Sequence, residues 1–97
     1  MKILPEPLAF EWDEGNKEKN RIKHGVTIKE AEEVFKNKPL LVSEDRIHSL
    51  DEIRFQALGK TDDDRLLFLS FTIRENNVRI ISVRDMSRKE QKIYEKI

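Results

Sequence analysis

The chain has 97 residues, of which 39% are charged, and its 19 basic side chains balance its 19 acidic ones. This length predicts a single domain over residues 1–97, because a second hydrophobic core would be too small to be stable. The absence of cysteine excludes disulfide, thiol and zinc-finger chemistry, and no apolar run approaches the roughly 18 residues of a membrane span, so we expect a cytoplasmic protein without a membrane partner.

The N-terminal region predicts an irregular arm, a short strand and a basic helix. Residues 10–12 alternate between apolar and polar side chains, as in a strand. Asp13 is suited to the N-cap of a first helix over roughly 14–24. Gly25 follows at the position where a left-handed glycine commonly ends a helix.

A second helix and a short strand are predicted next. Thr27 and Glu30 have the spacing of a capping box, which opens a helix over 28–36 with one apolar face. Residues 40–42 are apolar and predict a short strand. Residues 43–52 are polar and acidic, so we expect a solvated loop.

The C-terminal half predicts a three-stranded meander followed by a helix. The runs 53–60, 66–73 and 78–84 are strand-like, and short turns rich in Asp, Asn and Glu separate them. Ser87 and Glu90 form a second capping-box pattern and open a final helix. The predicted fold class is therefore α+β: two N-terminal helices, an antiparallel meander sheet of about four strands, and a C-terminal helix.

Basic side chains provide the main candidates for nucleic-acid binding. Residues 17–23 carry four basic side chains and one acidic side chain, and Lys19 and Lys23 form one ridge of the predicted helix. This surface can bind a phosphate backbone, although a solvated helix explains the same pattern.

Arginines on predicted strands form a second group of candidates. Strict alternation along 78–84 places Arg84 on one face with Val78 and Ile80, and Arg79 on the other face with Val83. Such guanidinium groups can bind phosphate oxygens in a bidentate way, or they can form salt bridges across the sheet.

Proton-transfer groups are few. His24 stands at the predicted end of the first helix, where it can bind the last carbonyls or act as an acid or base. His48 lies in the acidic loop and is expected to be an ordinary surface residue. The Asp62-Asp63-Asp64 run predicts a solvated turn, and two separate histidines do not make a metal site, so no metal or cofactor is expected.

The ordered motifs of this chain resemble the BrnT family of toxins. The residues that carry the resemblance are Phe10-Glu11-Trp12-Asp13, Lys19-Asn20, Lys23-His24-Gly25-Val26, Glu30-Ala31, Arg54, Gly59, Arg65-Leu66-Leu67, Phe71-Thr72, Arg79-Ile80-Ile81-Ser82, Arg84, Arg88-Lys89-Glu90 and Tyr94-Glu95. Asp85 departs from the pattern, and its charge beside Arg84 would form a salt bridge or weaken phosphate binding.

The resemblance implies a ribonuclease toxin of a type II toxin–antitoxin pair, with a fold related to RelE/ParE-type toxins. It implies an RNA substrate, arrest of translation, and a ribbon-helix-helix antitoxin, BrnA-like, whose complex binds operator DNA.

Metal-free RNA cleavage needs a proton acceptor, a proton donor and cations for the developing charge on the phosphate. The expected catalytic residues are His24, Arg65, Arg79 and Arg84, with Glu90 as a substitute base, and the expected RNA-binding residues are Lys19, Lys23, Arg54, Arg88 and Tyr94. Tyr94 can instead pack its helix against the sheet. A non-catalytic binding module and a gyrase-poisoning relative are the alternative functions.

Overall fold

The computed structural model describes residues 4–12 and 24–97. Its elements in chain order are β1 (Phe10–Glu11), α1 (Ile28–Val34), β2 (Leu41–Glu44), β3 (Arg54–Lys60), β4 (Leu66–Arg74), β5 (Asn77–Asp85) and α2 (Arg88–Glu95). The helix predicted over 14–24 lies outside the described residues apart from its last position, His24. The other predicted helices and strands are present, with ends shifted by a few residues.

The sheet has five strands in the order β1-β5-β4-β3-β2, so the prediction of about four antiparallel strands is wrong. Strands β2 to β5 are antiparallel, but β1 pairs parallel to β5 through Phe10 and Val78. A pairing between segments so far apart in sequence leaves no turn signal to predict it. Strand β2 also continues into the predicted loop, because Ser43 and Glu44 extend the ladder with β3.

A bulge in the β4–β5 ladder overturns the predicted faces of the last strand. Ser70 is opposite Ser82, whereas Phe71 is opposite Ile80, so Ile81 is the extra residue. One inserted residue reverses the alternation of every side chain that follows. Val83 therefore joins Ile80 in the core, and Arg84 shares the opposite face with Arg79.

Helix α1 covers one face of the sheet. Thr27 caps this helix, and the predicted capping box with Glu30 is formed in both directions. Ala31 and Val34 are completely buried against the strands. Ile28 stays at the surface, because about 100° per residue places it at the edge of the apolar stripe. A Cβ atom on Gly59 would lie 2.6 Å from Cγ1 of Val34, so the helix approaches β3 closely only because position 59 is glycine.

Helix α2 packs against one end of the opposite face. Tyr94 lies in a small apolar cluster with Leu58 and Met86, against which Leu66 and Phe68 also pack. The remainder of this face carries polar side chains and no described helix. The sheet therefore presents one face buried under α1 and one face that α2 covers only in part.

Candidate nucleic-acid interface

The part of the sheet that α2 leaves uncovered is rich in arginine. Strand pairing places seven polar side chains on this face, which we call the arginine face: Arg54, Gln56, Ser70, Thr72, Arg79, Ser82 and Arg84. The sequence predicted these three arginines as candidates but placed Arg84 with the core residues Val78 and Ile80. The bulge brings all three arginines to one side.

Three members of the arginine face form a row across adjacent strands. Arg54 of β3 is opposite Thr72 of β4, and Thr72 is opposite Arg79 of β5. The Thr72 side chain is 2% exposed, and its hydroxyl has no hydrogen-bond partner among the described residues. The hydroxyl oxygen is itself inaccessible to solvent, so Thr72 is a buried position between the two arginines and does not offer a contact to a ligand.

Arg84 is held in place by Glu90 at the start of α2. Its Nη1 and Nη2 atoms donate to the two carboxylate oxygens of Glu90 at 2.8 and 2.9 Å, and Nη1 also donates to the carbonyl of Asp85. The guanidinium stacks on Phe68, 4.1 Å from the ring centre. The hydrogen bond with Glu90 raises the pKa of Arg84, and the same bond lowers the pKa of the Glu90 carboxyl.

Two of the five N–H groups of the Arg84 guanidinium have no acceptor among the described residues, because Glu90 and Asp85 engage three. A phosphate oxygen can therefore bind to the outer edge of Arg84 while Glu90 still orients the side chain.

A cavity of about 350 Å³ opens beside Arg84, between α2 and strands β2 to β4. Apolar side chains form most of its wall, and the Gln56 amide provides a donor and an acceptor. Its lining residues include Leu41, Gln56, Leu58, Phe68, Glu90 and Ile93.

Two of the four predicted catalytic residues lie elsewhere. Arg65 precedes β4 and forms ion pairs with Asp85 at 2.7 Å and with Glu30 at 3.2 Å. It also donates to the carbonyls of His24 and Gly25. This cluster lies on the α1 side of the sheet, because Asp85 is opposite the core residue Leu67.

Asp85 therefore pairs with Arg65, and not with its neighbour Arg84 as the sequence suggested. The Arg65 bond lowers the pKa of the Asp85 carboxyl. The carboxylate of Asp85, the residue that departs from the family pattern, therefore does not compete with phosphate for the Arg84 guanidinium.

The remaining predicted residues fall into three places. Tyr94 is 7% exposed and its hydroxyl donates to the Pro39 carbonyl at 2.6 Å, so its ring packs α2 against the sheet. Arg88 is exposed at the first position of α2. Lys19 and Lys23 lie outside the described residues.

Sequence reasoning missed a histidine–carboxylate pair beside the arginine face. His48 Nδ1 lies 2.7 Å from Oδ2 of Asp45, whose side chain is 8% exposed although it was predicted to be in a solvated loop. The spacing of three residues between an acid and a histidine was the available signal, but it is common in loops that have no such pair.

The described residues contain neither a candidate metal-binding cluster nor a candidate membrane-spanning helix. Among residues 4–12 and 24–97, no three His, Asp or Glu side chains cluster in a way that could hold a metal ion. Over the same residues, neither helix has the length and apolar character needed to span a bilayer.

Comparison with known protein families and structures identifies the family and the fold of this chain. A family model described as "Ribonuclease toxin, BrnT, of type II toxin-antitoxin system" matches residues 12–90. The crystal structure of the Brucella abortus ribonuclease toxin BrnT superposes with a TM-score of 0.63 at 20% identity, covering 84% of this chain and 99% of that one, which shows a common fold. No curated protein sequence matches significantly. Because the family match covers most of the chain, this protein belongs to the BrnT family of ribonuclease toxins of type II toxin–antitoxin systems.

Proposed function

We propose that this toxin is an endoribonuclease that cleaves RNA without a metal ion, with the arginine face as its RNA-binding surface. The observation that carries the proposal is the convergence of Arg54, Arg79 and Arg84 on the side of the sheet away from α1. Guanidinium groups bind phosphate in a bidentate way and remain charged at every physiological pH. Three of them on rigid strands supply the positive charge that a phosphate transition state needs.

In this proposal the arginine face stabilises the charge that develops on the phosphate during cleavage. Arg54, Arg79 and Arg84 stand at separate points of this face, so they bind successive phosphates of one RNA strand. Preorganised donors of this kind lower an activation barrier because they do not have to reorient during the reaction. Arg65 makes no contact with RNA in this proposal, because its ion pairs with Asp85 and Glu30 fix it on the α1 side of the sheet.

The cellular role follows from the family and from the proposed reaction. A type II system includes an antitoxin partner, and we propose that this one is a ribbon-helix-helix protein whose complex with the toxin binds operator DNA. RNA cleavage in the cytoplasm would block translation, and the fold would be related to RelE-type toxins. Copurification of the tagged toxin with the neighbouring gene product, followed by an operator mobility shift, tests the antitoxin part.

The test of the enzymatic part is cleavage of end-labelled RNA by the purified toxin in EDTA, without ribosomes. Arg54→Ala is expected to cut about 10²–10³-fold more slowly, as for loss of one transition-state donor, and Arg84→Ala is expected mainly to weaken RNA binding. Lys29→Ala is the matched control, since Lys29 is an exposed cation of α1 on the other side of the sheet. It should cut like the wild type.

A second candidate function is a binding module without catalysis. The observation that favours it is the bidentate engagement of Arg84 by Glu90, which already neutralises one of the three guanidinium groups. If the wild type binds RNA but leaves it intact with and without ribosomes, this second function is correct and the ribonuclease proposal is wrong.

A further inference from the structure

We propose that Asp45 and His48 form the proton-transfer dyad of RNA cleavage, with His48 as the base that accepts the 2′-hydroxyl proton. This inference rests on the proposed ribonuclease function. It assigns a chemical role to a loop over which the family resemblance offers no motif. Four observations carry it: the geometry of the pair, its support by the loop, its place beside Arg54, and the engagement of the competing bases.

The pair has the geometry of a carboxylate that orients an imidazole. Oδ2 of Asp45 lies 2.7 Å from Nδ1 of His48, and Oδ1 accepts the backbone N–H of His48 at 3.4 Å. An ionised carboxylate can only accept a hydrogen bond, so Nδ1 carries the hydrogen and the neutral ring keeps its lone pair on Nε2. The carboxylate is nearly buried, whereas the imidazole is 61% exposed and accessible to a substrate.

The carboxylate is ionised in the folded protein. Burial works to raise the pKa of Asp45, but hydrogen bonds from His48 and Gln56 together outweigh it, and the pKa is lowered. A proton on Nε2 after the transfer is then stabilised by a fixed negative charge on the other side of the ring.

Hydrogen bonds fix the loop that carries the dyad. The Ser49 hydroxyl donates to the Asp45 carbonyl at 2.6 Å, and the Arg54 backbone N–H donates to the Ser49 hydroxyl at 2.9 Å. The Asp45 N–H donates to the Arg54 carbonyl at 2.7 Å, which continues the β2–β3 ladder by one residue. A base on an ordered loop does not have to be immobilised before each reaction.

The same ladder places the dyad at the end of the arginine row. Asp45 follows Glu44, which is opposite Phe55, so Asp45 is opposite Arg54 on the arginine face. The row across the sheet is then Asp45, Arg54, Thr72 and Arg79, with neighbouring strands about 4.8 Å apart. The dyad is therefore adjacent to Arg54, so in this proposal Arg54 binds the phosphate that is cleaved. Arg79 and Arg84 lie farther away on the same side of the sheet and bind neighbouring phosphates.

Other candidate bases are engaged or lie elsewhere. Both Glu90 oxygens bind Arg84, and the Arg84 bond lowers the pKa of Glu90, which makes it a poor proton acceptor. The other predicted base, His24, lies in the Arg65 cluster on the α1 side. Glu11, at the far end of the row beyond Arg79, is the competing carboxylate.

The charged groups around His48 come from its own loop and from β3. Asp45 contacts His48 directly, the same loop carries Arg46, Asp51 and Glu52, and β3 begins at Arg54; Glu52 is engaged by Arg74 at 2.7 Å.

The proposed step balances without any cofactor. Nε2 of His48 takes the proton of a ribose 2′-hydroxyl, and O2′ forms a bond to the adjacent phosphorus. The bond between phosphorus and O5′ breaks, and the leaving oxygen takes a proton from solvent water. The products are a 2′,3′-cyclic phosphate and a 5′-hydroxyl, and the imidazolium returns its proton to solvent.

The experiment compares His48→Gln with His24→Gln, which makes the same change on the other side of the sheet. Single-turnover cleavage at saturating RNA is measured from about pH 5 to 8, where imidazole groups titrate, together with RNA affinity and the chemistry of the product ends. We expect His48→Gln to lower the rate about 10²-fold or more, the usual contribution of a general base. RNA affinity should be unchanged, the decline of the rate toward low pH should disappear, and His24→Gln should match the wild type.

Asp45→Asn distinguishes orientation from simple loop support. The amide keeps the shape of the carboxylate but can donate a hydrogen bond to Nδ1, which favours the unproductive tautomer of His48. We therefore expect Asp45→Asn to cleave RNA more slowly, whereas its melting temperature should stay close to that of the wild type.

A wild type that cleaves, together with a His48→Gln variant of unchanged rate and pH profile, overturns the dyad and leaves the ribonuclease proposal intact. Loss of cleavage in Glu11→Gln with His48→Gln active overturns it in favour of Glu11. A wild type that does not cleave overturns both proposals.

Discussion

Replacing Arg65 by alanine should unfold the toxin more easily without removing a catalytic contact. The Arg65 guanidinium makes five hydrogen bonds, two to Asp85, one to Glu30 and one each to the His24 and Gly25 carbonyls. These contacts tie the start of β4 to the end of β5 and to the segment that precedes α1. Most substitutions outside a hydrophobic core change the free energy of unfolding little, but the loss of several charge-assisted hydrogen bonds at once lowers it substantially.

The magnitude follows from the exposure of the partners. A hydrogen bond to a charged group contributes about 1.5–3 kcal/mol when water cannot replace it. The Arg65 and Glu30 side chains are 30% and 28% exposed, but Asp85 is 62% exposed and regains water when Arg65 is removed. We therefore expect the free energy of unfolding to fall by about 2–3 kcal/mol, or the melting temperature by about 10–20 °C for a domain of this size.

Arg74→Ala is the matched control for this measurement. Arg74 ends β4 as Arg65 precedes it, but among residues 4–12 and 24–97 its one ion pair is with Glu52, and both side chains are close to half exposed. Such a pair contributes less than about 1 kcal/mol. Denaturant unfolding of both variants, followed by circular dichroism, gives the comparison, and Arg65→Lys should recover part of the loss. Unfolding free energies that agree within about 0.5 kcal/mol for the two alanine variants would refute the reasoning.

Three further predictions concern single contacts and acid stability. Tyr94→Phe removes only the bond to the Pro39 carbonyl and should lower the free energy of unfolding by about 1 kcal/mol, with RNA affinity unchanged; weaker RNA binding in a filter assay would restore Tyr94 as an RNA contact. Gly59→Ala places a Cβ 2.6 Å from Val34 and should cost about 1–3 kcal/mol in thermal unfolding, so an unchanged melting temperature would disprove the close approach. The pKa of Asp85 is lowered by folding, so its stabilising effect is complete above the unfolded value of about 3.9 and is lost as the pH falls. The wild type should lose more stability than Arg65→Ala between about pH 5 and 3, and equal losses would contradict this assignment.

Local signals in the sequence predicted most of the elements. Both capping boxes form as their spacing indicates, at Thr27 and at Ser87. Gly25 adopts a φ of 64°, the left-handed conformation predicted for a residue that follows a helix. The three long strands pair in the predicted order, because their connections are short enough to force antiparallel neighbours.

Non-local contacts account for the errors. The bulge at Ile81 depends on the partner strand, and without it alternation assigns Arg84 to the wrong face. The partners of Arg65 come from segments 20 and 35 residues away, so no spacing rule links them. His48 lies at the surface as predicted, but its pairing with Asp45 was missed, because the burial of Asp45 depends on how the loop folds back onto β3.

The most direct test of the central claim is to map where RNA binds on the two faces of the sheet. Isotope-labelled toxin is titrated with an RNA oligonucleotide whose 2′-hydroxyls are methylated, so that it cannot be cut, and amide chemical shifts are followed by NMR. If RNA binds the arginine face, the chemical-shift changes should concentrate on Arg54, Thr72, Arg79 and Arg84 and leave α1 unaffected. Changes concentrated on α1 and the Arg65 cluster would place RNA on the opposite face and contradict the account.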